Sequence, residues 1–273
     1  MSRIAETFTQ LRARGRPALI PYLTVGDPDL ATTREAVLAA VEAGADLIEL
    51  GVPFSDPMAD GPVLQRAAGR ALAGGTTLVQ VLELVSELRR DTVVPIVLFG
   101  YYNPFFRYGE EAVARDAARA GADAILCVDL PVEEDATFRA ATARAGLDLI
   151  MLLAPTTPLA RVRKIARTAS GFLYFVSVLG VTGDRDALPA ELPRLVGRVR
   201  TVSALPVGVG FGVQRPEQAA WIAGFADAVI VGSALARLME ADGGRGAPGR
   251  VREFVGNLTA AMRARAGGVC APA

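Results

Sequence analysis

Eight short apolar runs recur along the chain, separated by longer amphipathic segments: ALIPYLTV (18–25), DLIEL (46–50), VPIVLF (94–99), DAILCV (123–128), LDLIMLL (147–153), GFLYFVSV (171–178), LPVGVGF (205–211) and DAVIVG (227–232). The runs do not alternate between apolar and polar residues, so they predict strands buried on both faces, the setting of a parallel sheet. Between them, DLATTREAVLAAVEAG, EEAVARDAARAG, VEEDATFRAATARAG and RPEQAAWIAG place apolar residues at helical spacing, and each ends on a glycine. Eight such units in 273 residues fit an α/β fold of one kind, a closed (β/α)8 TIM barrel, read as a single domain over residues 1–273 with extra helices at its N-terminus and after the last strand. An open doubly wound sheet is the alternative. The turn after the first run does not favour it, because TVGDPD offers one glycine and a helix start where a G-x-G-x-x-G turn is needed.

The repeat AGAD or AGLD precedes strands at 43–46, 120–123 and 145–148. Gly44, Gly121 and Gly146 are expected to end helices in the left-handed conformation, which makes the repeat architectural. After Gly232 the pattern predicts a short helix, a flexible GGRGAPG segment (243–249) and a last amphipathic helix of about a dozen residues over VREFVGNLTAAM.

Composition narrows the partners and the chemistry. Twenty-nine basic residues balance 29 acidic ones, so the chain has neither the field nor the clustering of a nucleic-acid or membrane-surface binder. Cys127 and Cys270 stand far apart and fit neither a disulfide framework nor a paired metal site, which points to a reducing, cytoplasmic setting. No signal-peptide core or membrane-length apolar stretch is found. Histidine is absent, and with it Ser-His and Cys-His nucleophile pairs and most catalytic zinc sites. The only lysine, Lys164, lies in a charged helical pattern, a poor setting for a Schiff base. Proton transfer therefore falls to carboxylates, tyrosines or Lys164.

In a barrel of this kind the site lies at the C-terminal ends of the strands. That places weight on LIELGVPFSDPMADG, which puts Glu49 next to last in an apolar run and then returns Asp56 and Asp60 on a proline- and glycine-containing loop. Burial at the barrel mouth raises a carboxyl pKa and suits Glu49 to hold a proton near neutrality; a buried ion pair with an arginine is the plain alternative. Asp60 has an alternative use in capping the helix that follows, and Asp56 as an ordinary turn residue.

The loops after the sixth, seventh and eighth runs, SVLGVTGD (177–184), GVGFG (208–212) and VGSAL (231–235), are all built from small residues that let backbone N–H groups approach an anion, and Gly232-Ser233 opens a short helix. Together they predict a phosphate site, against the alternative of three independent tight turns. Tyr174 sits in the sixth run, where it faces the mouth or packs in the core. Tyr22, Tyr101, Tyr102, Phe105 and Phe211 cluster at or just after strand ends, where they are core by default and, in a barrel, would wall an apolar pocket able to accept a flat ring.

The run LIELGVPFSDPMADGP, with PYLTVGDPD, YYNPFF, VDLPVEE, VSVLGVTG, VGFGV and VGSAL in that order, resembles the tryptophan synthase alpha chain family over nearly the whole chain. The resemblance implies a lyase that splits indole-3-glycerol phosphate into indole and glyceraldehyde 3-phosphate. It implies Glu49 and Asp60 as catalytic carboxylates, Tyr174 as the active-site tyrosine, Tyr22 and Phe211 against the substrate, and Gly183, Gly212, Gly232 and Ser233 at its phosphate. Asp60, as the less buried acid, is expected to stay ionised and accept a hydrogen bond from the indole N–H. The family also implies a beta-chain partner in an alpha2beta2 complex, with pyridoxal phosphate held by that partner and no cofactor or metal in this chain. Loops bearing Asp56-Pro57, Tyr102-Asn103-Pro104 and Asp129-Leu130-Pro131 would face the partner, and Val181-Thr182-Gly183 would belong to a lid. Leu179 departs from the small polar residue often found before that lid, and Cys127 is expected near the pocket. A stand-alone lyase without a beta chain, another sugar-phosphate barrel enzyme, and a barrel kept only as an interaction subunit are the rival readings.

Overall fold

The apolar runs form parallel strands that close on themselves in sequence order, β1 through β8 and back to β1, in a computed structural model that describes residues 1–177, 189–210 and 212–267. The strands are β1 (Ala18–Thr24), β2 (Ile48–Gly51), β3 (Ile96–Gly100), β4 (Ala124–Cys127), β5 (Asp148–Leu153), β6 (Leu173–Val176), β7 (Val207–Gly210) and β8 (Ala228–Val231). Closure rules out the open doubly wound sheet. The helices are α1 (Arg3–Ala13), α2 (Leu30–Glu42), α3 (Pro62–Ala73), α4 (Leu78–Asp91), α5 (Tyr102–Tyr108), α6 (Glu110–Ala120), α7 (Ala136–Ala145), α8 (Leu159–Thr168), α9 (Leu192–Arg200), α10 (Pro216–Ile222), α11 (Ser233–Glu240) and α12 (Ala247–Gly267). Among the described residues no single helix is long and apolar enough to cross a membrane.

Two apolar clusters result. The larger lies between strands and helices, and the smaller fills the barrel with Ala18, Ile20, Leu47, Val97, Leu126, Ile150 and Ile230. Helix α1 belongs to the second: Ile4, Phe8 and Leu11 are buried against the floor of the barrel, and the Phe8 ring lies 5.7 Å from that of Phe172. Each such side chain contributes about 1.5–3 kcal/mol by leaving water, so α1 is a stopper as well as an N-terminal extension.

The AGAD repeat has a second use beyond the helix stop. Gly121 and Gly146 take left-handed backbone, at φ 99° and 76°, as expected. The aspartates that follow meet backbone donors left open at the floor, where a buried N–H needs a partner. Asp46 accepts from Leu19 N at 2.9 Å, Asp123 from Ile96 N at 2.8 Å and, from the equivalent place before β8, Asp227 from Val207 N at 2.9 Å. Arginines close the other lone pairs: Arg16 on Asp46, Arg3 and Arg89 on Asp123, Arg200 on Asp227.

The tail departs from the sequence expectation. GGRGAPG is not a free segment: a 3-10 turn covers Ala241–Gly244, and α12 starts at Ala247 and runs 21 residues. Pro248 suits a first helical turn, and the Arg250 guanidinium donates to the carbonyls of Leu238, Ala241 and Arg245, which fixes the junction.

Candidate active site

Strand β2 turns Glu49 inward, level with Tyr22 of β1 and Val97 of β3. The side chain is fully buried and neither carboxylate oxygen has a hydrogen-bond partner. Among the described residues no arginine pairs with it, as the alternative reading required. An isolated buried carboxylate is costly as an anion, and burial alone holds the Glu49 carboxyl well above the usual range. Burial thus favours the protonated form of Glu49 inside the barrel.

Asp60 reaches the same space from the loop after β2. Pro57 O accepts its N–H at 3.0 Å, and helix α3 begins at Pro62 with Gly61 as N-cap and no side-chain cap. The capping alternative is therefore not how this carboxylate is used. Asp60 is only 6 % exposed, and burial raises its pKa to about 6. The Tyr101 hydroxyl, which accepts from Ala59 N at 3.0 Å, also reaches the carboxylate and draws that value down. Asp60 is thus nearly as buried as Glu49, and while burial raises its pKa, the phenol favours its ionised form. Asp56 stays exposed on the loop beside the Ser55 hydroxyl.

The remaining walls combine aromatic side chains with small residues. Tyr22, Phe99 and Tyr174 form a continuous set, with Phe99 5.1 Å edge-on from Tyr22 and 6.2 Å from Tyr174. Both tyrosine hydroxyls lie over strand-end glycines: a Cβ on Gly51 would meet Tyr22 Oη at 2.1 Å, and one on Gly210 would meet Tyr174 Oη at 2.3 Å. Burial and the nearby carboxylates push both phenols up, Glu49 acting most on Tyr174 and Asp60 most on Tyr22. Gly212, Gly232 and Ser233 line the same pocket, Gly232 against the Tyr22 ring and Ser233 opening α11. Unsatisfied N–H groups at that helix start favour an anion. The pocket so formed holds about 390 Å³, its open mouth included.

Tyr22, Asp60, Tyr174, Gly212, Gly232 and Ser233 are thus brought together, with Glu49 at the base. Phe211, Gly183, Leu179 and the 181–183 segment lie outside the described residues. The predicted aromatic wall is only partly right. Tyr102 and Phe105 pack outward against Phe138, and Tyr101 serves through its hydroxyl. Cys127 turns to the outer cluster and donates to Asp129 Oδ1 at 3.6 Å, so it lines a neighbouring cavity instead of this pocket. Phe99, Leu64 and Val213 were missed. Phe99 was recoverable: it is two residues beyond the inward Val97, and period-two alternation puts both on one face.

The geometry defines a (β/α)8-barrel pocket with two buried carboxyl groups at its mouth, both with pKa raised by burial. The tryptophan synthase alpha chain family model matches residues 8–263. The chain is 58% identical over 240 residues to the tryptophan synthase alpha chain of Geobacter sp. (strain M21), covering 88% of this chain and 90% of that one. It is 50% identical over 264 residues to that of Geotalea uraniireducens, covering 97% of each. The crystal structure of tryptophan synthase subunit alpha from Legionella pneumophila superposes with a TM-score of 0.90 at 38% identity, over 97% of this chain and 99% of that one. The chain belongs to the tryptophan synthase alpha chain family. It is a lyase that carries out the alpha reaction of L-tryptophan biosynthesis, the cleavage of indole-3-glycerol phosphate to indole and glyceraldehyde 3-phosphate.

Proposed function

We propose that Glu49 and Asp60 divide this reaction between them. Glu49, neutral, protonates indole C3, so that the ring becomes an electron sink. As an anion it then takes the proton from the side-chain hydroxyl next to the ring; the O–H pair forms the aldehyde C=O, and the C–C bond electrons return to the ring as indole leaves. One proton is given and one recovered. Asp60 accepts a hydrogen bond from the indole N–H and stabilises the positive charge that develops there. Tyr22, Phe99 and Tyr174 hold the ring, with Phe211 added from the sequence. Gly212, Gly232 and Ser233, with Gly183, hold the phosphate, whose binding supplies remote energy for orientation. The observation that carries this reading is the fully buried, unpartnered Glu49 carboxyl beneath a pocket that also contains Asp60.

Residues 1–273 act as one catalytic domain in the cytoplasm, without a cofactor of their own, and pair with a pyridoxal-phosphate-bearing beta chain in an alpha2beta2 complex. Exposed apolar side chains on the elements after β2 and β3 support such a partner: Met58, 87 % exposed on the loop that carries Asp60, and Phe106, 60 % exposed on α5. Lys164 gives no support to Schiff-base chemistry here, since it pairs with Glu133 on the outside at 2.9 Å. The test is indole release from indole-3-glycerol phosphate by the full chain, with and without a beta chain. Slow release that accelerates on adding the beta chain is expected, and abolished release in Glu49→Gln. Full activity of Glu49→Gln and Asp60→Asn would refute the assignment.

A further inference from the structure

Helices α3 and α11 both start at the pocket. α3 begins two residues after Asp60, and α11 begins with Ser233. Farther along, one ionic knot ties them. Arg66 and Arg70, four apart and so on one face of α3, both reach Glu240, the last residue of α11. Arg66 is bidentate at 3.0 Å through Nε and Nη2, and Arg70 donates from Nη1 at 2.8 Å. The rest of the Arg70 fork is turned to Asp27, with Nε at 2.7 Å and Nη2 at 2.9 Å from its two oxygens. Asp27 is almost wholly buried, in the loop after the strand that carries Tyr22. All three nitrogens of one guanidinium are used on two acids from two other elements.

The Asp27 loop has little freedom to absorb a change. A Cβ on Gly26 would strike Thr76 Oγ1 at 2.0 Å, and one on Gly244 would strike Pro28 Cγ at 2.4 Å, so the loop is packed closely against the α3–α4 turn on one side and the segment after α11 on the other. Arg250 independently holds the carbonyl end of α11. Arg70 thus joins α3, the loop after β1 and the end of α11, with Arg66 sharing only the Glu240 end.

We propose that Arg70 is a positioning residue for the cleavage: by binding Asp27 and Glu240 together it fixes the separation between the Asp60 loop and the Ser233 end of α11, and hence how well one ligand meets both. This rests on the assignment of the ring to Asp60 and the phosphate to Ser233. Arginine is required because lysine offers a point charge where two acids need a planar fork.

A staple of stability alone and a positioning device give different results. With Arg70→Lys and Glu240→Gln in the full chain, kcat/KM for indole-3-glycerol phosphate is expected to fall about tenfold or more, as small misplacements of reacting groups do. Binding of indole-3-propanol phosphate, which spans both ends, should weaken alongside. Affinity for glycerol 3-phosphate, which uses the phosphate end alone, should change less than about twofold, because each end stays intact. The inference is overturned if only the melting temperature falls, or if the short and the spanning ligand weaken equally. If Arg70→Lys does not fold, Glu240→Gln decides alone, since its change is at a partly exposed position. A Ser233→Asp variant that keeps full affinity for glycerol 3-phosphate would instead refute the underlying phosphate assignment, and the inference with it.

Discussion

The two ends of the barrel carry the same kind of side chain in opposite states. At the floor, Asp46, Asp123 and Asp227 each accept a strand N–H and face arginine. At the mouth, Glu49 has no hydrogen-bond partner, and Asp60 has a tyrosine but no arginine. Carboxylates satisfied by backbone and guanidinium hold structure, whereas carboxylates deprived of both are left able to exchange protons. The surroundings set the difference, since all five are largely buried acids beside strand ends.

The sharpest way to break this contrast is Glu49→Gln. It should lower kcat by about a thousandfold, in the range of lost general acid–base catalysis, without loss of thermal stability, because no native partner is removed. Asp60→Asn comes next, with a loss of about a hundredfold in kcat/KM as expected for a charge-stabilising group. Its effect on stability has a definite sign. The folded pKa of Asp60, about 6, lies above the ordinary 3.8, so ionisation opposes folding. The contribution is intact below pH 4 and is lost as pH rises through 6. Denaturant titrations should therefore show the Asn variant gaining on the parent between pH 4 and 7, by up to about 3 kcal/mol. In the parent, kcat/KM should fall as pH drops through about 6, where Asp60 becomes protonated.

At the floor the pattern reverses. Asp123→Asn leaves Arg89 and Arg3 without their anion and should cost about 2–3 kcal/mol in unfolding free energy, with kcat unchanged. Smallest of all, Arg200→Ala removes a half-exposed partner of Asp227 and should cost less than about 1 kcal/mol, a value that salt reduces further. A floor variant that slowed turnover without unfolding would break the comparison.

The barrel was legible because unbroken Val/Ile/Leu runs leave few other options than buried parallel strands. What the pattern misjudged were the ends. DLIEL begins at Asp46, yet β2 starts at Ile48, since Asp46 is spent on Leu19 N and Arg16 outside the ladder. Glu49 and Asp60 stood out as acids out of place in an apolar run and a stiff loop. The pKa of Asp60, the turn of Tyr102, Phe105 and Cys127 away from the pocket, and the Arg70 knot did not stand out. Each depends on which way a side chain faces and on contacts between residues as far apart as Arg70 and Glu240, which local periodicity does not encode.

The seating of Ile4, Phe8 and Leu11 in the underside has a consequence for traffic. Among the described residues that end is plugged, so substrate and both fragments pass at the opposite end, where Asp60 and Ser233 line the pocket. A partner seated at that end would set the order in which the two fragments leave.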